Sequence, residues 1–147
     1  MKKVGLVLAS TLALSCGAVS PSALGSDVSA GSARAVGPTV SVSIKTLTKT
    51  LLGPTAVRGR TGWITKGGTP RGKCSAASAA GALNVATQGK WSGKYFSGVG
   101  IFVTSILGVK PKGMNFWGVY VNGKFSNVGI CDIKLRAGER LLFKIKK

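Results

Sequence analysis

Lysine and arginine are the side chains this sequence offers for chemistry, and what they do best is hold anions. There are 21 of them against three acids and no His, a formal charge of +18 over 147 residues. Charge of that size predicts attraction to phosphates, acidic polymers or anionic surfaces; alone, it is equally a solubility device. Three groups stand out. Arg71 and Lys73 precede a helical pattern. Lys90 and Lys94 interleave with Trp91, Tyr95 and Phe96, a mixture that can stack rings and hold phosphate, although aromatics in small domains more often fill the core. Lys144, Lys146 and Lys147 close the chain, with Lys144 and Lys146 on one face of a strand, opposite Phe143 and Ile145. These seven are the candidate anion-binding residues. They recur along the chain rather than in one block, which favours a folded basic face over a disordered tail.

Gly67-Gly68-Thr69-Pro70-Arg71-Gly72-Lys73-Cys74 is one residue from the phosphate-loop pattern G-x-x-x-x-G-K-[ST]. The changed residue matters, because the hydroxyl at that place ligates magnesium and a thiol is a poor ligand for so hard a cation. No strand clearly precedes the loop. The surviving expectation is an anion held at a helix N-terminus beside Arg71 and Lys73. Catalysis has little to use: without His there is no ordinary proton carrier near neutral pH. Asp132 and Glu139 are the only carboxylates after residue 35. Each is expected to serve a turn or a local ion pair. No catalytic constellation and no His/Cys metal set is marked. The expectation is a non-enzymatic protein with no catalytic residues, no metal site and no cofactor.

These cations need elements to position them. Val40-Ser41-Val42-Ser43-Ile44-Lys45 alternates strictly and predicts a strand with Val40, Val42 and Ile44 inward. Lys49 to Arg60 reads as a loop because of Pro54 and its glycines. Thr61 to Thr65 predicts a short edge strand. Ser75 to Gln88 predicts the one helix, capped by Ser75 or Ser78 and ended by Gly89, with an apolar stripe of Ala76, Ala79, Ala80, Leu83 and Ala86. Gly81 is expected to weaken it by about 1 kcal/mol relative to Ala. Ile101 to Leu107 is an apolar strand. Phe116 to Val121 is a second, with Trp117, Val119 and Val121 on one face and Phe116 and Tyr120 on the other, expected at the sheet's centre and covered on both sides. Asn122-Gly123 predicts a type I′ hairpin turn. Val128 to Cys131 reads as the hairpin's returning arm, and Leu141 to Ile145 as the closing strand.

The first residues read differently. Met1-Lys2-Lys3 and the uncharged apolar run Val4 to Val19 predict a secretory signal, shorter than the about 20 residues a membrane span requires. Cleavage is expected after Ala30 or Ala35. Lipidation at Cys16 fits poorly, since the large residue Leu14 adjoins Ser15 directly. Residues 1–35 are thus a signal and a Ser/Ala/Gly-rich linker, and 36–147 a single domain. No later run reaches membrane length, so the mature chain is expected outside the cytoplasm, secreted or at the cell surface.

Trp117-x-x-x-Val121-Asn122-Gly123, Val128-Gly129-Ile130-Cys131 and Leu135-x-x-Gly138-Glu139-x-Leu141-x-Phe143 together resemble the transcobalamin C-terminal-like domain family, many of whose members are secreted bacterial proteins of unknown function. Ser78-Ala79-x-x-Ala82-Leu83 resembles that family's helix motif. The resemblance covers about residues 39 to 146 and implies an α+β fold, a small β-grasp-like sheet with one packed helix. It puts cysteines at places similar to Cys74 and Cys131, the two left once the signal is removed. An exported chain permits their oxidation to a disulfide. In the related transcobalamin domain the fold helps cover cobalamin, with a separate helical domain supplying much of that site, and this chain is read as lacking one. Three functions follow as expectations. A module for an anionic partner (cell-wall polymer, acidic glycan or nucleic acid) predicts a continuous Lys/Arg face. A small-ligand, cobalamin-like module predicts a concave site around Trp117, Tyr120 and Asn122. A structural cell-surface component predicts an exposed sheet edge or apolar patch.

Overall fold

The computed structural model describes residues 37–66 and 72–147. The expected signal, linker and Cys16 lie outside the described residues, as do Arg71 and the run 67–70.

β1 (Thr39–Lys45) buries Val40, Val42 and Ile44 and turns its alternate residues outward, as a period of two requires. β9 (Arg140–Lys146) does the same with Leu141, Phe143 and Ile145. The two pair in parallel, Ser41 opposite Arg140 and Lys45 opposite Lys144, which sets the first and last strands side by side. β7 (Phe116–Val121) pairs antiparallel with the other edge of β9, Trp117 facing Ile145 across the ladder. With β2 (Thr50–Arg58) and β8 (Lys124–Phe125), the sheet order is β2-β1-β9-β7-β8. The centre therefore belongs to β9 and not to β7, whose outward residues Phe116 and Tyr120 are only half-buried. Large side chains on both faces of β7 do not make it central: on its β8 edge only Tyr120 and Val121 find partners, whereas β9 is paired along most of its length on both edges.

Two further expectations are corrected. Thr50–Arg58 is a strand and not a loop. Val42 faces Thr55 and Ile44 faces Leu52, so Gly53 and Pro54 together oppose Ser43 in a β-bulge. A proline is tolerated there because the strand is at the edge and the bulge needs no ladder N–H. The hairpin at Asn122 and Gly123 forms, both with positive φ, 50° and 85°. Its second arm, however, ends at Phe125. Val128–Cys131 is irregular, and the chain there turns to the helix instead: the carbonyls of Ile130 and, just beyond, Ile133 accept from the N–H groups of Ala80 and Ala79 at 3.0 and 2.9 Å.

Those two bonds start the helix α1 (Ala79–Ala86), shorter than Ser75–Gln88. Ser75 instead ends β4 (Lys73–Ser75), which pairs with β3 (Trp63–Thr65). Ser78 holds the N-cap position, but its hydroxyl donates to the Ser75 carbonyl at 2.7 Å and caps nothing. Gly81 is required rather than merely tolerated: a Cβ there would run into the Ala76 carbonyl. Ala79, Ala80 and Leu83, all fully buried, share one core with Val42, Ile44, Leu141 and Phe143, and the small side chains let the helix lie close to the sheet. A hairpin of β5 (Trp91–Phe96) and β6 (Gly100–Ile106) adds Trp91, Ile101, Val103 and Ile106 to that core. A Cys74–Cys131 disulfide, with a Cα–Cα distance of 5.0 Å, joins β4 to the turn that seats the helix. Among the described residues no helix is long and apolar enough to cross a membrane.

Candidate functional site

The inner face of the five-stranded sheet is consumed by the core. On the outer face the same alternation displays what is left. β9 presents Arg140, Lys144 and Lys146, all exposed, with Leu142 half-buried between them. β1 presents Ser41, Ser43 and the exposed Lys45, in register with Arg140, Leu142 and Lys144. β7 presents Phe116, Gly118 and Tyr120, in register with Lys146, Lys144 and Leu142. From β2, Arg58 faces the same way as its partner Thr39, and its Nε donates to Thr39 Oγ1 at 3.4 Å.

Pleating fixes the spacing of these cations. Residues two apart on β9 stand about 7 Å apart and neighbouring strands about 4.8 Å apart, so Lys45 and Lys144 are cross-strand neighbours of like sign. Such a pair is unfavourable unless something neutralises it. Asp132 and Glu139 are the only carboxylates in residues 37–147. Glu139 Oε2 accepts from the Arg136 N–H at 2.9 Å, and Asp132 sits in a turn that its own backbone N–H closes by donating to the Gly129 carbonyl.

Beside the cations lies a ring cluster. Phe125 spans the gap above Gly118, where an added Cβ would come within 2.9 Å of Phe125 Cε2. Its ring meets Phe116 and Tyr120 edge-on, at centroid distances of 6.5 and 5.4 Å. Lys146 Nζ stands 4.3 Å from the Phe125 centroid, a cation–π contact. The outer face thus combines five cations with three packed rings. A flat partner can stack there while its charge is met by ammonium and guanidinium groups.

Of the seven candidate anion-binding residues, Lys144 and Lys146 lie on this face and the exposed Lys147 follows them. The others are on separate elements. Lys73 is in β4, 5.8 Å from the Trp63 ring centroid, and does not flank the helix. The first helical N–H groups are already taken by Ile130 and Ile133, so the expected anion site at the helix entrance is closed by protein carbonyls. Lys90 is exposed after the helix, and Lys94 lies in β5, 5.4 Å from the Phe96 centroid. The ring mixture there divides: Trp91 is core, its Nε1 donating to Asn84 Oδ1 at 3.0 Å, while Phe96 is exposed. Arg71 is outside the described residues.

The candidate ligand residues are not brought together. Trp117 is buried on the inner face and Tyr120 is half-buried on the outer one, as an odd spacing along a strand dictates. Asn122 is engaged in the fold, its Oδ1 accepting from the Arg140 N–H at 2.9 Å. Sequence reasoning missed Lys45, Arg58, Arg140, Phe116 and Phe125 as site residues. Alternation marked Lys45 as outward; only the long-range β1–β9 pairing sets it beside Lys144.

A five-stranded sheet with a single packed helix, two added strand pairs and a parallel pairing of the first and last strands defines a small α+β domain of transcobalamin-like fold. A family described as a domain of unknown function (DUF4430) matches residues 76–147, from the approach to α1 through β9. Among solved structures, haptocorrin in complex with Cbi superposes with a TM-score of 0.55 at 16% identity, covering 75% of this chain and 25% of that one. A protein from Ruminococcus gnavus ATCC 29149 described as a "putative metal binding protein" superposes with a TM-score of 0.52 at 11% identity, covering 75% of this chain and 97% of that one. The chain thus spans about a quarter of haptocorrin and nearly all of the Ruminococcus protein. No curated protein matches the sequence. Among the described residues no three His, Cys, Asp or Glu side chains converge, and both described cysteines are in the disulfide.

Proposed function

We propose that the chain is a non-enzymatic binding module, exported from the cell, that holds an anionic partner on the outer face of its five-stranded sheet. The observation that carries this reading is the rank of Lys45, Arg58, Arg140, Lys144 and Lys146 on one face, in a stretch, residues 37–147, whose only acidic side chains are Asp132 and Glu139. Phe116, Tyr120 and Phe125 add a platform for sugar or base rings. Cell-wall polymer, acidic glycan and nucleic acid share the chemistry this face would recognise. Export agrees with the disulfide, since such bonds persist in oxidising compartments. The fold likeness to haptocorrin and to the Ruminococcus protein supports the broader class, a ligand-binding domain, without carrying either ligand over.

Duplex DNA serves as a model polyanion for the test. With all five cations engaged, log affinity should fall against log salt with a slope of about −4.5, which is about 500-fold between about 50 and about 200 mM. Lys144→Gln with Lys146→Gln should reduce the slope to about −2.7 and that loss to about 40-fold. No binding at low salt, or a slope unmoved by the double substitution, refutes the assignment to this face.

A further inference from the structure

The strand order sorts the outer face of the sheet into two strips. Its five cations stand on β2, β1 and β9, and its three packed rings on β7 and β8, in a sheet ordered β2-β1-β9-β7-β8. The border runs between β9 and β7, where Lys146 is in register with Phe116 and Lys144 with Gly118, the residue that Phe125 covers. Strands are about 4.8 Å apart there, so the ring strip adjoins the charged one along its length. From Arg140 to Lys146 the charged strip runs about 20 Å. At the stacked spacing of about 3.4 Å that is about six nucleotides of one strand, and fewer when the strand is extended.

Resting on the assignment of an anionic partner to this face, we propose that the partner is a single-stranded nucleic acid, its phosphates along the cations and its bases turned onto the rings. The separation of charge from rings is what selects it. A uronic-acid glycan carries its carboxylates on the sugar rings themselves, so ring and charge arrive together. A polyol phosphate has charge and no flat ring. A duplex keeps its bases paired inside and turns its phosphates outward. A single strand has charge along its backbone and uncharged flat rings to one side. Phe125, 38% exposed, is the ring that takes a base. Phe116 and Tyr120 are half-buried and inclined to it by 71° and 66°, so neither continues its plane and one base is stacked. Lys146 Nζ stands over the Phe125 ring, 4.3 Å from its centroid. The base takes that place, and the ammonium, on its flexible stem, moves to the adjoining phosphate, exchanging an exposed cation–π contact for a charge-assisted bond.

Two oligomers of equal charge isolate the bases: an oligothymidylate of about eight nucleotides, and its abasic counterpart with the same phosphates. Each carries one fluorescein and is titrated with the intact protein by anisotropy, beside labelled duplex DNA and labelled polygalacturonate. The thymidylate should bind about tenfold more tightly than the abasic chain, the worth of one stacked base. That ratio should persist as salt rises, while both affinities fall with a common slope of about −3.5 for five contacts on a single strand. Phe125→Leu keeps an apolar cover over Gly118 and removes the flat ring. It should erase the tenfold difference and leave the abasic chain, the duplex and polygalacturonate bound as before, and Phe125→Tyr should keep the difference. Equal affinity for the two oligomers, a thymidylate preference that survives Phe125→Leu, or a loss on Phe125→Leu that polygalacturonate shares each overturns the single strand and leaves an anion-binding face standing. Binding of none of the four polymers at low salt overturns both.

Discussion

Reducing the Cys74–Cys131 bond tests how the helix is held. The bond spans a sequence separation of 57 residues, from β4 to the turn whose Ile130 and Ile133 carbonyls receive the first helical N–H groups. Closing a loop of that length removes entropy from the unfolded chain worth about 4 kcal/mol at 25 °C. A domain of about 110 residues unfolds with an entropy of roughly 0.23 kcal/mol/K, so the loss should lower Tm by about 15–20 °C. Urea unfolding of oxidised and reduced protein gives the free-energy difference directly. Reduction keeps both sulfurs in place and isolates the cross-link. The double Cys74→Ala, Cys131→Ala variant should fall further, because Cys74 is 1% exposed and its truncation also leaves a void. The helix should be the first element to lose amide protection, beginning at Ala79 and Ala80. Superimposable melts with and without reductant would refute the reasoning, and equal protection of the helix would refute its local half.

Three other outcomes are expected. Asn122→Ala loses both the Oδ1 bond to the Arg140 N–H and a residue suited to φ 50°, and should cost about 1–2 kcal/mol in denaturant unfolding, with Asn122→Gly costing less. Gly81→Ala should destabilise by about 2 kcal/mol or more despite the better helix propensity of alanine, because the Cβ meets the Ala76 carbonyl; a more stable variant would sink that argument. N-terminal sequencing of material recovered outside the cell should begin between residues 20 and 36, and a protein retained with Met1 would end the export claim.

The fold was legible where a pattern is local. Strict alternation marks β1, Asn122-Gly123 marks the hairpin, and the Cys74–Cys131 pair comes with the family likeness. What misled was residue type read without partners. Pro54 suggested a loop because its edge position and bulge depend on β1, a pairing the local composition does not state. The aromatics of β7 suggested a central strand because ring content reports burial demand and not ladder position. Gly81 looked like a weakness because the Ala76 carbonyl that excludes a side chain belongs to the preceding turn. The basic face was half legible for the same reason. Lys144 and Lys146 share a strand and could be paired by counting, whereas Lys45 joins them across almost a hundred residues of sequence. Trp117 was singled out, but its pairing with Tyr120 fails on the two-residue period of the strand that holds both.

The parallel contact of β1 with β9 also decides how the domain bears tension. A pull through its two ends draws β1 back along its own axis and β9 forward along its own, so the strands are asked to slide past one another. The five register pairs from Ser41–Arg140 to Lys45–Lys144 then resist together, and none can open before the rest. The β7–β8 hairpin, pulled apart at its open end, would surrender its two pairs in succession. A domain tethered at one end and loaded at the other is thus strongest along the line that joins its ends.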